Sequence, residues 1–277
     1  MYASNIIALL TDFDISDNYI GVMKGVILSI NPDARIVDLA HGLRKFDIRY
    51  AAFLLLTAYK YFPRGTIFVG VVDPGVGTER EAIILKTRNY YFVGPNNGLF
   101  SLVAKKDGLE EIRELRNRKY ALQDVSYTFH GRDLFSPAAA YLSLGTPLEE
   151  FGPYLPESKF VEISISEPEI CGEEYQGEVL AIDSFGNVIT NIPGDIFTSR
   201  EKIGAAFLLR IGNNVYVLKF RRAYGEADER EGLILVGSHN FVEFAVNRGS
   251  ARDRFCLKVG EKFKLIKIKQ NSNRITL

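Results

Sequence analysis

The sequence predicts two domains: an α/β domain with a mostly parallel or mixed central sheet flanked by helices over residues 1–160, and a smaller antiparallel, β-barrel-like domain over residues 161–277. Three observations lead there. Through the first half, strand-like apolar runs alternate with helix-like periodic segments, which is the rhythm of βαβ units. At FGPYLPESK (151–159) Pro and Gly cluster and the texture changes. Beyond that point the apolar runs are short, with no helical segment between them, as in a meander of antiparallel strands.

In order, IIALL reads as a buried strand and YIGVMKGVILSI as a helix closed by Asn31-Pro32-Asp33. RIVDL is the next strand. IRYAAFLLLTAYKYF is a second helix, stopped by Pro63-Arg64-Gly65, and TIFVGVV follows as another buried strand. AIILK and YYFVG are further strands, with PNNG a turn after them. DLFSPAAAYLSLG is a helix with Asp133 near its start and Gly145 past its end. In the second domain GEVLAID and VITNI pair across the turn SFGN, and FLLRIGNNVYVLKF is a hairpin with a short polar loop. LILVG, FVEFAV and KFKLIKI complete the barrel, and QNSNRITL is a frayed tail. The chain shows no internal repeat and no low-complexity tract.

Composition narrows the function classes. Lys plus Arg and Asp plus Glu balance at 34 each, so no net field draws the chain to nucleic acid or an anionic membrane. Cys171 and Cys256 lack metal-ligand spacing and read as reduced, structural thiols. IIALL has no basic flank or cleavage site, and no run reaches about 18 apolar residues. A cytoplasmic enzyme or binding protein is the expectation.

Five stretches carry residues suited to chemistry. Asp12, Asp14 and Asp17 crowd the end of the first strand, ahead of a helix, where open α/β sheets bind ligands. Ser16 or Asp17 as a helix N-cap, a hard-cation site and a ribose site are the three readings; the last suits Asp12, whose two oxygens can accept both ribose hydroxyls. In VVDPGVGTER, Pro74, Gly75 and Gly77 hold the backbone between Asp73 and Arg80, either as a rigid polar site or as an ordinary ion pair. Of the three histidines, His41, His130 and His239, His130 stands at a loop-to-helix junction beside Gly131, Arg132 and Asp133. Asp183 and Asn187 flank a turn, where Asn187 satisfies local backbone or reads an adenine edge. Ser238 and His239 precede a strand in which Phe241, Glu243 and Ala245 alternate with Val242, Phe244 and Val246, largely as sheet patterning.

Taken together and in order, TDF, SDNYIGVMKG, VVDPGVGTER, PNNG, TFHGRD, IDSFGNVITNI and GSHNFVEFAVN resemble the S-adenosyl-L-methionine hydroxide adenosyltransferase family, a relative of the fluorinating and chlorinating enzymes. The resemblance covers nearly the whole chain. It implies hydrolysis of S-adenosyl-L-methionine to adenosine and L-methionine by in-line attack of water or hydroxide at C5′, without metal or cofactor. It also implies a homotrimer whose sites lie between one subunit's N-terminal domain and its neighbour's C-terminal domain. The family's catalytic Asp, Arg and His fall on Asp73, Arg80 and His130, with either His130 or Asp73 as proton acceptor. Its ribose-binding Asp falls on Asp12, its methionine-end acids on Asp17 and Asp183, and its adenine-reading Asn on Asn187. Ser238 matches a methionine-end contact and Phe46, Phe129 and Phe241 match wall positions; Glu243 and Val246 complete the substrate-binding set. One departure is Asp14, where the family has Gly; a carboxylate there would narrow or recharge the pocket mouth. Halide-using relatives carry Tyr, Thr and Ser where this chain has Asp73, Val76 and Gly131, and an insertion before PNNG that is missing here. A halide-dependent 5′-halo-adenosine synthase and a non-catalytic binder of adenosine or S-adenosylmethionine are the alternatives.

Overall fold

The computed structural model describes residues 2–269, so the tail reading for QNSNRITL lies outside the described residues. The chain divides into two compact units, residues 1–164 and 165–277. The first runs β1 (Ile6–Thr11), α1 (Tyr19–Ile30), β2 (Arg35–Ala40), α2 (Ile48–Ala58), β3 (Ile67–Val71), β4 (Ala82–Thr87), β5 (Tyr91–Pro95), α3 (Ser101–Asp107), β6 (Leu109–Glu114) and α4 (Ser136–Ser143). Its sheet has the order β2-β1-β3-β5-β4-β6. The first four strands are parallel, and β4 lies antiparallel between β5 and β6.

The apolar runs of β1, β3 and β5 are buried along nearly their whole length because both faces of the sheet are covered. Side chains alternate between two layers. Ile7, Leu9, Val69 and Val71 face Met23 and Ile27 of α1 and Ala138 and Ala139 of α4. Ala8, Leu10, Phe68 and Phe92 face Ala51 and Leu55 of α2 and Val103 of α3. The chain leaves β1 for β2, then crosses back to β3 on the other side of β1. Strand order therefore reverses between β1 and β3, and their carboxyl ends frame the switch point where such sheets take ligands.

Two details depart from the expected elements of this unit. The α-helical part of α2 stops at Ala58, and a 3₁₀ turn, Tyr59–Tyr61, leads to Pro63. The segment expected as one helix from Asp133 opens with a π-helical turn, Gly131–Phe135, before α4, with Ser136 Oγ donating to Gly131 O at 2.7 Å. Such turns often mark functional positions. Here it follows directly on His130.

The second unit comprises β7 (Glu169–Cys171), β8 (Glu174–Ile182), β9 (Val188–Pro193), α5 (Gly194–Arg200), β10 (Ala206–Ile211), β11 (Asn214–Phe220), β12 (Gly232–Val236), β13 (Phe241–Val246), α6 (Ala251–Phe255) and β14 (Lys262–Lys267). The order β14-β10-β11-β12-β13-β9-β8 closes into a barrel because β14 also pairs with β8, while β7 adds on beyond β8. Tyr175, Phe197, Phe207, Phe244 and Phe255 fill its core. Gly212, at φ 55°, and Asn213 make the tight turn of the expected β10–β11 hairpin. The barrel is not wholly antiparallel: β11 and β12 run parallel, because residues 221–231 return the chain to the starting end of β11 before β12 begins. Both cysteines are free and exposed, so neither is the packed structural thiol expected from the sequence. Among the described residues no helix is long and apolar enough to cross a membrane.

Candidate active site

Thr11 and Val71 are register partners at the ends of β1 and β3, and Asp12 N donates to Val71 O at 3.3 Å. The two strands therefore deliver Asp12 and Asp73 side by side at the switch point. Past Asp73 the chain makes a compact turn, with Val76 N donating to Asp73 O at 3.2 Å and Thr78 N to Gly75 O at 3.1 Å. Gly77 sits at φ 76°, and a Cβ on it would overlap the carbonyl oxygen of Tyr127. The turn brings Arg80 back onto Asp73 as a two-pronged pair, Nε to Oδ1 at 3.0 Å and Nη2 to Oδ2 at 2.5 Å. Arg80 Nη2 also reaches His130 Nδ1 at 2.7 Å, and the guanidinium carbon lies 5.4 Å from the centre of the Phe135 ring. The Arg80 and Asp73 side chains are 10% and 4% exposed, so this is a desolvated pair rather than the ordinary surface ion pair that the sequence left open.

The contact between Arg80 and His130 fixes a proton. A guanidinium offers only donors, so Nδ1 must present its lone pair, and a neutral ring then carries its hydrogen on Nε2. Burial first, and the Arg80 charge second, hold the His130 pKa below its ordinary value, which keeps the ring neutral. The hollow beside the imidazole, about 430 Å³, is lined by Gly77, Thr78, Ser126 and Tyr127 among others.

Several supports of this cluster gave no distinctive signal in the sequence. PNNG is more than a turn. Asn97 Nδ2 donates to Val72 O at 2.8 Å, immediately before Asp73, and Asn96 binds Glu81, Lys159 O and Val161 N. Asp133, fully buried, accepts from Arg132 Nε at 2.5 Å and from Ser126 N at 2.8 Å, tying down the loop before His130. Burial raises its pKa, but the Arg132 and Ser126 bonds outweigh that and hold it low.

Asp12 is 5% exposed, and its Oδ2 accepts from Phe46 N at 2.9 Å. Phe46 takes φ 64° and is 66% exposed. Phe129 packs edge-on against Phe13 and Tyr19, with centroids 5.6 and 5.1 Å away, so the loops after β1 and before His130 share one aromatic cluster. Asp17 is exposed. Neither Ser16 nor Asp17 caps α1: the cap position is Asn18, whose side chain makes no capping bond. Asp14 instead holds the turn, accepting from Ser16 N at 2.9 Å and Ser16 Oγ at 2.8 Å, and these bonds lower its pKa.

In the second unit, Asp183 organises its own turn. Its Oδ1 accepts from the backbone N of Phe185 and of Asn187, both at 2.9 Å, and its Oδ2 from Asn187 Nδ2 at 2.9 Å. Asn187 thus satisfies Asp183, and the same bond aims the rest of its amide. Ser238 is exposed on the β12–β13 turn, and Phe241 begins β13. Glu243 is buried and held by Tyr224 OH at 2.8 Å and His239 Nε2 at 3.1 Å. Burial and that carboxylate push the Tyr224 pKa far up, so the phenol stays a donor. Val246 packs into the barrel core. Among the described residues no group of three or more His, Cys, Asp or Glu side chains is arranged to hold a metal ion.

A six-stranded α/β unit with a carboxylate–guanidinium–imidazole cluster at its switch point, followed by a closed β-barrel, defines the class of protein. The family described as SAM hydroxide adenosyltransferase matches with its N-terminal domain over residues 7–152 and its C-terminal domain over residues 177–264, and this chain belongs to it. A (R)-S-adenosyl-L-methionine hydrolase of Thermus thermophilus is 41% identical over 93% of this chain and 98% of its own length. A fluorinase of Nocardia brasiliensis is more distant, 29% identical over 92% of this chain and 94% of its own. The crystal structure of an uncharacterized conserved protein from Thermotoga maritima superposes with TM-score 0.90 at 40% identity, covering 94% of this chain and 99% of that one.

Proposed function

We propose that Asp73, Arg80 and His130 present water or hydroxide to C5′ of S-adenosyl-L-methionine, giving adenosine and L-methionine. The chain is an enzyme that hydrolyses S-adenosyl-L-methionine, the activity for which its Thermus thermophilus relative is named. One observation carries the mechanism: a single guanidinium grips both the carboxylate and the imidazole. Those bonds occupy Nε and Nη2 and leave Nη1 to donate to the attacking oxygen. His130 Nε2–H supplies a second donor to that oxygen. The C5′–S bond breaks with its electron pair going to sulfur, which turns the sulfonium into a neutral thioether while the water oxygen bonds to C5′. The water proton goes to Asp73, whose oxygens each keep a lone pair, because His130 Nδ1 is committed to Arg80 and Nε2 already bears hydrogen. Fixed donors around a developing hydroxide supply the electrostatic part of the catalysis, and in-line placement at about 3 Å the rest.

Asp12 takes the ribose hydroxyls, with Phe46 and Phe129 as walls. Asp17, Asp183, Asn187, Ser238, Phe241, Glu243 and Val246 form the methionine and adenine ends. Because these residues are spread over both units, we assign the complete site to a homotrimer working in the cytoplasm, with no metal or cofactor. Purified protein treated with EDTA and given S-adenosylmethionine should release adenosine, read by chromatography. Loss of activity on chelation, or 5′-halo-adenosine formed with chloride or fluoride, would refute this reading.

The His130 pKa sets the acid limb. Its folded value lies below the ordinary value of about 6.5, so kcat/KM should be flat above that pH and fall below it, as protonation removes the lone pair that Arg80 uses. The same shift makes the unfolded chain take up the proton first, so stability also declines as pH drops through 6.5. A His130→Asn variant, whose amide oxygen accepts from Arg80 and does not titrate, should be slower but lack that limb. An unchanged limb would place the titrating group elsewhere.

A further inference from the structure

Seven hydrogen bonds form a network at the end of β1, four of them tying residues 11–13 to residues 41–46, and none reaches the catalytic cluster. Thr11 Oγ1 meets His41 Nδ1 at 2.8 Å, and His41 Nε2 meets Asp38 Oδ1 at 3.0 Å. Lys24 Nζ donates to Asp38 Oδ2 at 2.7 Å. Phe13 N donates to Thr11 Oγ1 at 3.3 Å, spanning Asp12, and Gly42 N donates to Phe13 O at 2.7 Å. Lys45 Nζ and Phe46 N then close on Asp12 itself, at its carbonyl (2.6 Å) and its Oδ2 (2.9 Å).

The direction of each bond follows from the groups. Asp38 only accepts, so His41 donates from Nε2–H, and a neutral ring then offers its Nδ1 lone pair to the Thr11 hydroxyl hydrogen. That leaves a Thr11 oxygen lone pair for Phe13 N–H. The His41 side chain is 7% exposed, so water does not readily replace a missing partner. Asp38, held by Lys24, selects the tautomer in the way an outer carboxylate does behind a metal-bound histidine.

We propose that Thr11 and His41 are positioning residues for ribose recognition: they clamp the Asp12 peptide from both sides and seat the 41–46 segment that touches its carboxylate. The inference rests on Asp12 binding the ribose hydroxyls. Its readout is the preference for adenosine over 2′,3′-dideoxyadenosine, measured as a ratio of Kd values by calorimetry. Asp12→Ala should collapse that ratio by about tenfold or more, the scale of one charge-assisted hydrogen bond. Thr11→Val, nearly isosteric, and His41→Leu should lower it at least about threefold with the dideoxy Kd unchanged, while Thr11→Ser keeps it. A full ratio in Thr11→Val and His41→Leu, alongside a collapsed one in Asp12→Ala, overturns the inference. Equal weakening of both ligands also overturns it, as a merely structural effect. An intact ratio in Asp12→Ala overturns the ribose assignment itself. Thermal unfolding of each variant checks that it is folded, and Thr11→Val carries the test if His41→Leu is not.

Discussion

Arg80→Ala should slow adenosine formation about a thousandfold, while affinity for adenosine changes by less than about tenfold. Removing one donor from a preorganised charge site costs about 10²–10³ in rate. Arg80 contributes more than one donor: it grips Asp73 and meets His130 at Nδ1, and in the proposed mechanism it keeps Nη1 for the reacting oxygen. Without it, His130 is free to take either tautomer and the water loses two of its organising contacts together. Stability should also fall by about 3–5 kcal/mol, because Asp73, 4% exposed, would be left as an unpaired buried charge. Arg80→Lys keeps the charge but cannot make the parallel pair and the imidazole bond at once, so it should recover stability better than rate. Single-turnover adenosine formation, adenosine calorimetry and thermal unfolding separate the three effects. A rate within tenfold of the parent in Arg80→Ala would remove the guanidinium from the chemistry.

The parts of this protein legible in its sequence are those set by local pattern. The unbroken apolar runs of β1, β3 and β5 announce strands covered on both faces, and Asp12 and Asp73 draw notice as site candidates by standing where two such runs stop. What pattern does not carry is partner identity. Asn96 and Asn97 look like turn residues, yet one holds Val161 across 65 positions and the other pins Val72. Strand direction is equally silent: LILVG alternates the same way whether β12 runs with β11 or against it, and only the return of residues 221–231 decides. Helix α3 and α6 are too short to establish a period, and β6 is broken up by Glu110, Glu111, Arg113 and Glu114. The shape of the motif SYTFHGRDLF was likewise hidden. Asp133 is a buried anchor for Ser126 and Arg132, and the π-helical turn holding it is visible only in the backbone. His41, one of three histidines, offers no motif at all, because its partners Thr11 and Asp38 come from two different strands.

Gly77→Ala is expected to be nearly as damaging as loss of Arg80, although Gly77 touches no reacting group. Its φ of 76° costs an L-residue about 1–2 kcal/mol by itself. The added methyl meets the backbone of Tyr127 rather than a movable side-chain tip, so the 73–80 turn and the loop leading to His130 must separate. Arg80 rides on the first of these and His130 on the second, and their 2.7 Å bond has no slack for such a shift. A displacement of about 1 Å at a reacting geometry costs about a hundredfold in rate. The variant should therefore lose about two orders of magnitude in kcat with Asp12-dependent binding of adenosine intact, since Asp12 is held from residues 45, 46 and 71 instead. Gly75→Ala makes the control. Its Cβ would meet the Arg80 Cγ at 3.2 Å, a flexible stem that can give way, and its φ is not in the left-handed region. If the two variants slow turnover equally, the turn acts through bulk near Arg80 and not through its hold on the imidazole loop. If Gly77→Ala turns over like the parent, the contact with Tyr127 does not set the distance between Arg80 and His130.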